Sequence, residues 1–189
     1  MSKIVEQDER SEQGERSGVN RIAILGAESS GKSVLAEALA QHYQSVWVPE
    51  YLREFVDTAQ RVPKEEEQLL IAQTQMKREN EAAKHATTWL FCDSTPLLTA
   101  LYSRHYFGRV LPALEELEQE HDYDFTLVTA PDFPWAADGL QRESAAVRQR
   151  IHEDLLILME QRDIPFLLVE GSLKNRVEQV AFALNFLLC

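Results

Sequence analysis

The run Gly26-Ala27-Glu28-Ser29-Ser30-Gly31-Lys32-Ser33 satisfies G-x-x-x-x-G-K-[ST] at every fixed position, a pattern built to hold a triphosphate. Its glycines let backbone N–H groups curl around phosphate oxygens, Lys32 reaches the β and γ oxygens, and the Ser33 hydroxyl is placed to hold Mg²⁺. The nucleotide contacts expected from it are Gly26, Glu28, Ser29, Ser30, Gly31, Lys32, Ser33 and Val34. Two carboxylates stand where an acceptor would have to be handled. Glu50 follows the apolar run Ser45-Val46-Trp47-Val48 and Pro49, and Asp93 closes Thr88-Trp89-Leu90-Phe91-Cys92 in a Walker-B-like position. In phosphoryl transfer such a group orients the attacking hydroxyl and accepts its proton, or holds the metal. Asp93 suits the metal shell or the hydroxyl, and Glu50 the sugar hydroxyls or the base. The sequence does not separate the two roles, and Asp93 can also cap the helix that begins after it.

Those residues need a scaffold that gathers strand ends on one rim. Asn20 to Leu25 reads as a short buried strand, and Lys32 to Tyr43 carries Val34, Leu35, Ala38, Leu39 and Tyr43 at near-helical spacing, so the loop lies between strand and helix. Further strands are expected at Ser45–Val48, Thr88–Cys92, Phe125–Thr129 and Phe166–Val169. Helices are expected over Glu50–Gln60, Lys64 to about Ala86, Leu97–Tyr106, Leu111 to about His121, Glu143–Gln161 and the C-terminal stretch bearing Val177, Val180, Leu184 and Leu187. Leu69, Leu70, Ala72 and Met76 read as core packing of the third helix. Five short apolar strands alternating with helices predict an α/β fold, a five-stranded parallel sheet covered on both faces. Ligands of such sheets bind beyond the carboxyl ends of the strands, where the P-loop, Glu50, Asp93 and the loop after Thr129 all fall.

That loop, Ala130 to Arg142, is rich in proline and aromatic residues and reads as a lid. Arg142, Arg148 and Arg150 follow closely in an acidic chain, and cations there would neutralise charge on the moving phosphoryl group. Arg142 is the catalytic candidate and Arg148 a nucleotide contact; surface pairing with Glu143 and Glu153 is the plainer alternative. Tyr51 and Trp135 offer aromatic faces to a cationic ring, Trp135 also being open to ordinary packing. Arg53 is placed to clamp phosphate or substrate or to pair with Glu54 or Asp57, and Asp138 to bind a ribose or cap the lid helix.

The chain has 189 residues and a formal charge of −12, which suits one compact domain over residues 19–189 and disfavours nucleic acid and anionic membrane surfaces as partners. Residues 1–18 are charged and polar and read as a disordered tail. Two cysteines and no run long enough to span a membrane fit a cytoplasmic protein. The histidines have no ligand spacing, and Ser29 and Ser30 lack the G-x-S-x-G elbow of a hydrolase.

The P-loop with its Glu-Ser-Ser interior, Glu50-Tyr51-Leu52-Arg53-Glu54-Phe55, Asp93, and Pro134-Trp135-Ala136-Ala137-Asp138-Gly139-Leu140-Gln141-Arg142 together resemble the ribosylnicotinamide kinase domain of the NadR-type bacterial NAD-biosynthesis proteins, within the P-loop NTPases of AAA type. The resemblance covers about Arg21 to Leu188. It implies ATP-dependent (or GTP-dependent) phosphorylation of the 5′-hydroxyl of nicotinamide riboside, with Mg²⁺ held by Ser33 and Asp93, on a fold like that of the nucleoside and nucleotide kinases. Relatives of that type also carry an adenylyltransferase domain and sometimes a DNA-binding helix-turn-helix; this chain has length for neither and reads as a stand-alone kinase. A P-loop kinase for another small metabolite and a regulatory NTP-hydrolysing switch are the competing readings.

Overall fold

A computed structural model of the protein describes residues 18–134 and 144–187. The tail before Gly18 and the lid positions Trp135, Asp138 and Arg142 lie outside the described residues. The strands are β1 (Asn20–Leu25), β2 (Val46–Val48), β3 (Trp89–Asp93), β4 (Phe125–Thr129) and β5 (Leu167–Val169). The helices are α1 (Lys32–His42), α2 (Tyr51–Ala59), α3 (Gln68–Ala83), α4 (Pro96–Phe107), α5 (Pro112–Glu120), α6 (Ala145–Gln161) and α7 (Leu173–Leu187). Every expected strand and helix is present, with ends shifted by a few residues. The expected helix from Lys64 is the exception: a 3-10 turn, Glu65–Glu67, precedes it and it stops at Ala83.

All strands pair in parallel in the order β2-β3-β1-β4-β5. Period-two alternation sends neighbouring residues to opposite faces. Ile22, Ile24, Phe91 and Leu127 pack with Leu35 and Leu39 of α1 and Val180 and Leu184 of α7. Leu25 and Val128 pack on the other face with Leu97, Leu98 and Leu101 of α4 and Ile151, Leu155 and Met159 of α6. Both faces are covered, which is why the strands read as unbroken apolar runs. Each such buried side chain contributes about 1.5–3 kcal/mol.

One expected core position is corrected: Leu70 is 53% exposed. The buried face of α3 carries Gln68, Ile71, Ala72, Gln75, Glu79 and Ala83, so polar side chains occupy positions that apolar periodicity alone assigns to leucines. On α1 the same rotation buries Leu35, Ala36, Leu39 and Ala40 and turns Val34 outward.

The order of the sheet positions the site. From β1 the chain moves to the β2/β3 flank and then crosses to the β4/β5 flank, so β1 lies at the switch point, where a crevice opens beyond the strand ends. Register sets Ile24 beside Asp93 and Leu25 beside Val128. The P-loop therefore emerges with the end of β3 on one side and the end of β4 on the other. Gly26 has φ +151, and a Cβ there would overlap the Thr129 hydroxyl; only glycine lets the chain leave β1 this close to β4.

Candidate active site

The P-loop is held by its own polar atoms and by β4. Ser30 Oγ donates to the Ala27 carbonyl at 2.7 Å and lies 2.6 Å from the Thr129 hydroxyl. Lys32 is buried at 7% exposure, its Nζ donating to the Ala27 carbonyl at 3.1 Å. Its ammonium thus lies folded into the loop. Glu28 is held from α4: Tyr102 OH donates to Glu28 Oε2 at 2.6 Å and accepts from the Glu28 amide at 3.0 Å. Burial, and then the Glu28 carboxylate, push the Tyr102 phenol above its ordinary range.

Across from the loop, Asp93 is fully buried, and its Oδ2 accepts from Ser33 Oγ at 2.5 Å. Burial first, and then Glu50, raise the Asp93 pKa to about 6 against the opposing pull of Lys32, Ser33 and Arg53. Glu50 precedes α2, and its Oε1 accepts from Ser94 Oγ at 3.1 Å. Gln75 of α3 ties these two segments together: its Oε1 accepts from the Tyr51 amide at 2.9 Å, and its Nε2 reaches the Asp93 carbonyl at 3.4 Å. Asp93 thus closes β3, Glu50 stands just beyond the end of β2, and Glu28 lies within the loop, held by Tyr102.

Among the described residues, buried polar atoms without a partner concentrate here: Glu28 Oε1, Ser29 Oγ, Asp93 Oδ1 and Thr95 Oγ1. Buried polar groups in folded proteins are paired as a rule, so a cluster of unpaired ones on one rim marks where a ligand completes the bonding. Ser33 Oγ and the free Asp93 Oδ1 form a hard-oxygen pair suited to Mg²⁺. No group of three or more His, Cys, Asp or Glu among the described residues could hold a metal alone, so phosphate oxygens and water would supply the remaining ligands.

The structure brings together Gly26 to Ser33, Glu50 and Asp93. Tyr51 sits beside them, but the Arg78 guanidinium lies 4.5 Å over its ring, leaving a single face for stacking. Arg78 also forms a double hydrogen bond with Glu54, so Glu54 is not Arg53's partner; Arg53 is exposed, with its charge felt at Asp93. Arg148 is 8% exposed and its Nη1 donates to the Phe133 carbonyl at 3.0 Å, anchoring α6 to the segment after β4. Arg150 is paired weakly with Asp154 at 3.9 Å. Residues that sequence reasoning passed over are Tyr102, Gln75, Thr129 and Arg176, whose signal is contact with distant loops and not local pattern.

Behind Gln75 the network continues to Glu79, which accepts from Gln75 Nε2 at 3.2 Å and from Tyr123 OH at 2.8 Å. Burial raises the Glu79 pKa to about 7, opposed by Tyr123, Gln75, Arg21 and Cys92, the groups that face it. The folded protein therefore binds this proton more tightly than the unfolded chain, and stability falls as pH rises from about 4.5 to about 7. Glu79→Gln removes that loss. Measured by urea unfolding, the variant gains on the wild type progressively through this window, by about 3 kcal/mol once pH exceeds 7. An offset independent of pH would give Glu79 an ordinary pKa.

A family profile described as an AAA domain matches residues 21–176. The chain belongs to this AAA domain family. A curated relative is the trifunctional NAD biosynthesis/regulator protein NadR of Escherichia coli (strain K12), 29% identical over 178 residues, or 90% of this chain. The chain spans about two fifths of such relatives, 41% of that one and 39% of its Salmonella typhimurium counterpart. Among solved structures, NadR protein in complex with NR superimposes with a TM-score of 0.72 at 16% identity, covering 87% of this chain and 51% of that one. Deoxyadenosine kinase from M. mycoides gives 0.61 at 13% identity, covering 88% and 99%. This AAA domain therefore has the fold of the P-loop nucleoside and nucleotide kinases. No helix among the described residues is long and apolar enough to cross a membrane.

Proposed function

We propose that this protein is an ATP-dependent nucleoside kinase that phosphorylates the 5′-hydroxyl of nicotinamide riboside to give nicotinamide mononucleotide, a step in NAD salvage in the cytoplasm. The observation that carries it is the unpaired Asp93 Oδ1 beside Ser33, facing Glu50 and the P-loop. A switch NTPase needs a phosphate cradle; a kinase needs in addition a place for an acceptor hydroxyl next to a carboxylate. Glu50 and Asp93 border such a place. The carboxylates of Glu50 and Asp93 also suit a substrate whose ring is cationic, and the likeness to NadR, one of whose structures holds NR, supports the same acceptor.

The chain's own residues divide the work. P-loop amides and Lys32 hold the donor phosphates, and Lys32 leaves the Ala27 carbonyl to do so. Ser33 and Asp93 would hold Mg²⁺, which when bound offsets charge on the β and γ phosphoryl oxygens. Glu50, held by Ser94, orients the acceptor hydroxyl and takes its proton, while Gln75 keeps the Glu50 and Asp93 segments at a fixed spacing. Trp135, Asp138 and Arg142 belong to the lid in this reading, with Trp135 against the nicotinamide ring and Arg142 on the transferred phosphoryl group.

Coupled ADP release from Mg-ATP tests the proposal, run with nicotinamide riboside, with the common nucleosides and with no acceptor. Stimulation by nicotinamide riboside above all others is expected. Equal turnover without acceptor would make the protein an NTPase, and preference for another nucleoside would keep the chemistry and replace the substrate.

A further inference from the structure

We infer that Arg176 is a positioning residue for the donor triphosphate, acting through the P-loop backbone; the inference rests on the reading of that loop as a triphosphate site. Arg176 lies in the first turn of α7, is 1% exposed, and is the largest fully buried side chain in the described structure. Burying a guanidinium is costly unless every donor is matched. Here its Nε donates to the Gly171 carbonyl at 3.1 Å, Nη1 to the Ser30 carbonyl at 2.6 Å, and Nη2 to the Ala130 carbonyl at 2.9 Å and to the Asp132 carboxylate. Asp132 also accepts from the Gly171 amide at 2.5 Å, and the Phe133 ring lies 4.5 Å from the guanidinium. One side chain joins the P-loop, the loop after β4 and the loop after β5.

The contact with Ser30 has a directional effect. The Ser30–Gly31 peptide is a planar unit in which the carbonyl and the following N–H point opposite ways. Fixing the Ser30 oxygen on Arg176, on the β4/β5 side, turns the Gly31 N–H away from Arg176 and toward the phosphate side of the loop. Gly31 holds this peptide at φ +86, a conformation that side chains rarely adopt, while a Cβ there would meet Arg176 Nη1 and the Phe133 ring at ordinary contact distance, 3.4 Å. Without the guanidinium this peptide is free to flip, and the loop presents an oxygen where a phosphate needs a donor. Asp132 largely neutralises the charge of Arg176, so its role is geometric more than electrostatic. Lysine, with its donors on a single atom, cannot span three carbonyls.

The test uses the full chain as wild type and Arg176→Lys, with a fluorescent ATP analogue plus Mg²⁺ for Kd, steady-state kinetics for both substrates, and urea unfolding. A folded Arg176→Lys protein should bind Mg-ATP at least tenfold more weakly, about 1.4 kcal/mol. Its KM for ATP should rise to match while KM for the acceptor stays within twofold, a split that general loosening of the fold would not produce. Unchanged Kd in the folded variant, or equal rises in both KM values, would overturn the inference. If Arg176→Lys fails to fold, Asp132→Asn, which removes the carboxylate that fixes the guanidinium and so loosens its hold on the Ser30 carbonyl, should weaken Mg-ATP about threefold, and no change there would overturn it equally. A wild type that does not bind Mg-ATP would remove the triphosphate reading itself, a failure distinct from that of Arg176.

Discussion

Lys32→Ala is expected to lower kcat by about 10³-fold or more in the coupled ADP assay while the protein remains folded. The side chain supplies the one ammonium inside the described P-loop, and a preorganised cation or donor aimed at developing charge accounts for roughly 10²–10³ in rate when removed alone. Lys32 has a second effect that deepens the loss. Its charge offsets part of the burial and Glu50 repulsion acting on Asp93, so alanine leaves that carboxylate less able to ionise. The cost to the fold is small, because the hydrogen bond lost among the described residues is that to the Ala27 carbonyl, which keeps Ser30 Oγ as a donor. Circular dichroism and a thermal melt alongside the assay separate the two effects. Near-normal turnover in Lys32→Ala would take the P-loop out of the mechanism.

Asp93→Asn is expected to cost about 10²–10⁴-fold in kcat, the range for a group that handles the transferred proton or the charge beside it. Asparagine preserves shape and can still accept from Ser33 but carries no charge. The melting temperature should hold or rise, because the wild-type carboxylate is fully buried, lies near Glu50 and leaves Oδ1 unpaired. Loss of rate without loss of stability is what a residue kept for function and not for the fold produces. A parallel fall in both would make Asp93 a structural cap before α4, and an unchanged rate would leave Glu50 as the sole working carboxylate.

The sheet was legible because its strands are buried on both faces: Asn20–Leu25, Trp89–Asp93 and Phe125–Thr129 are largely apolar runs, and the chain leaves all three at the same rim. The phosphate loop was legible because its chemistry is local, eight residues in one unbroken stretch. Gln75 and Glu79 were not. One turn apart on a buried face of α3, they look in sequence like solvated positions, and their partners, Tyr51, Asp93 and Tyr123, are set by packing. Leu70 fails in the opposite direction, apolar by type and exposed by helix rotation. Arg176, between Asn175 and Val177, has nothing beside it to distinguish it from a surface cation.

That last contact has a consequence for how the protein comes to exist. Arg176 meets Ser30 across 146 positions of chain, Thr129 meets it across 99, and Tyr102 meets Glu28 across 74. Contacts so distant form only after intervening segments have been ordered. During synthesis the phosphate-binding motif emerges well before the arginine that orients its peptide, 146 positions further along the chain, and stays unformed in between. Competence to hold nucleotide is thus deferred until α7 has docked, and a nascent chain on the ribosome would carry the motif without the site.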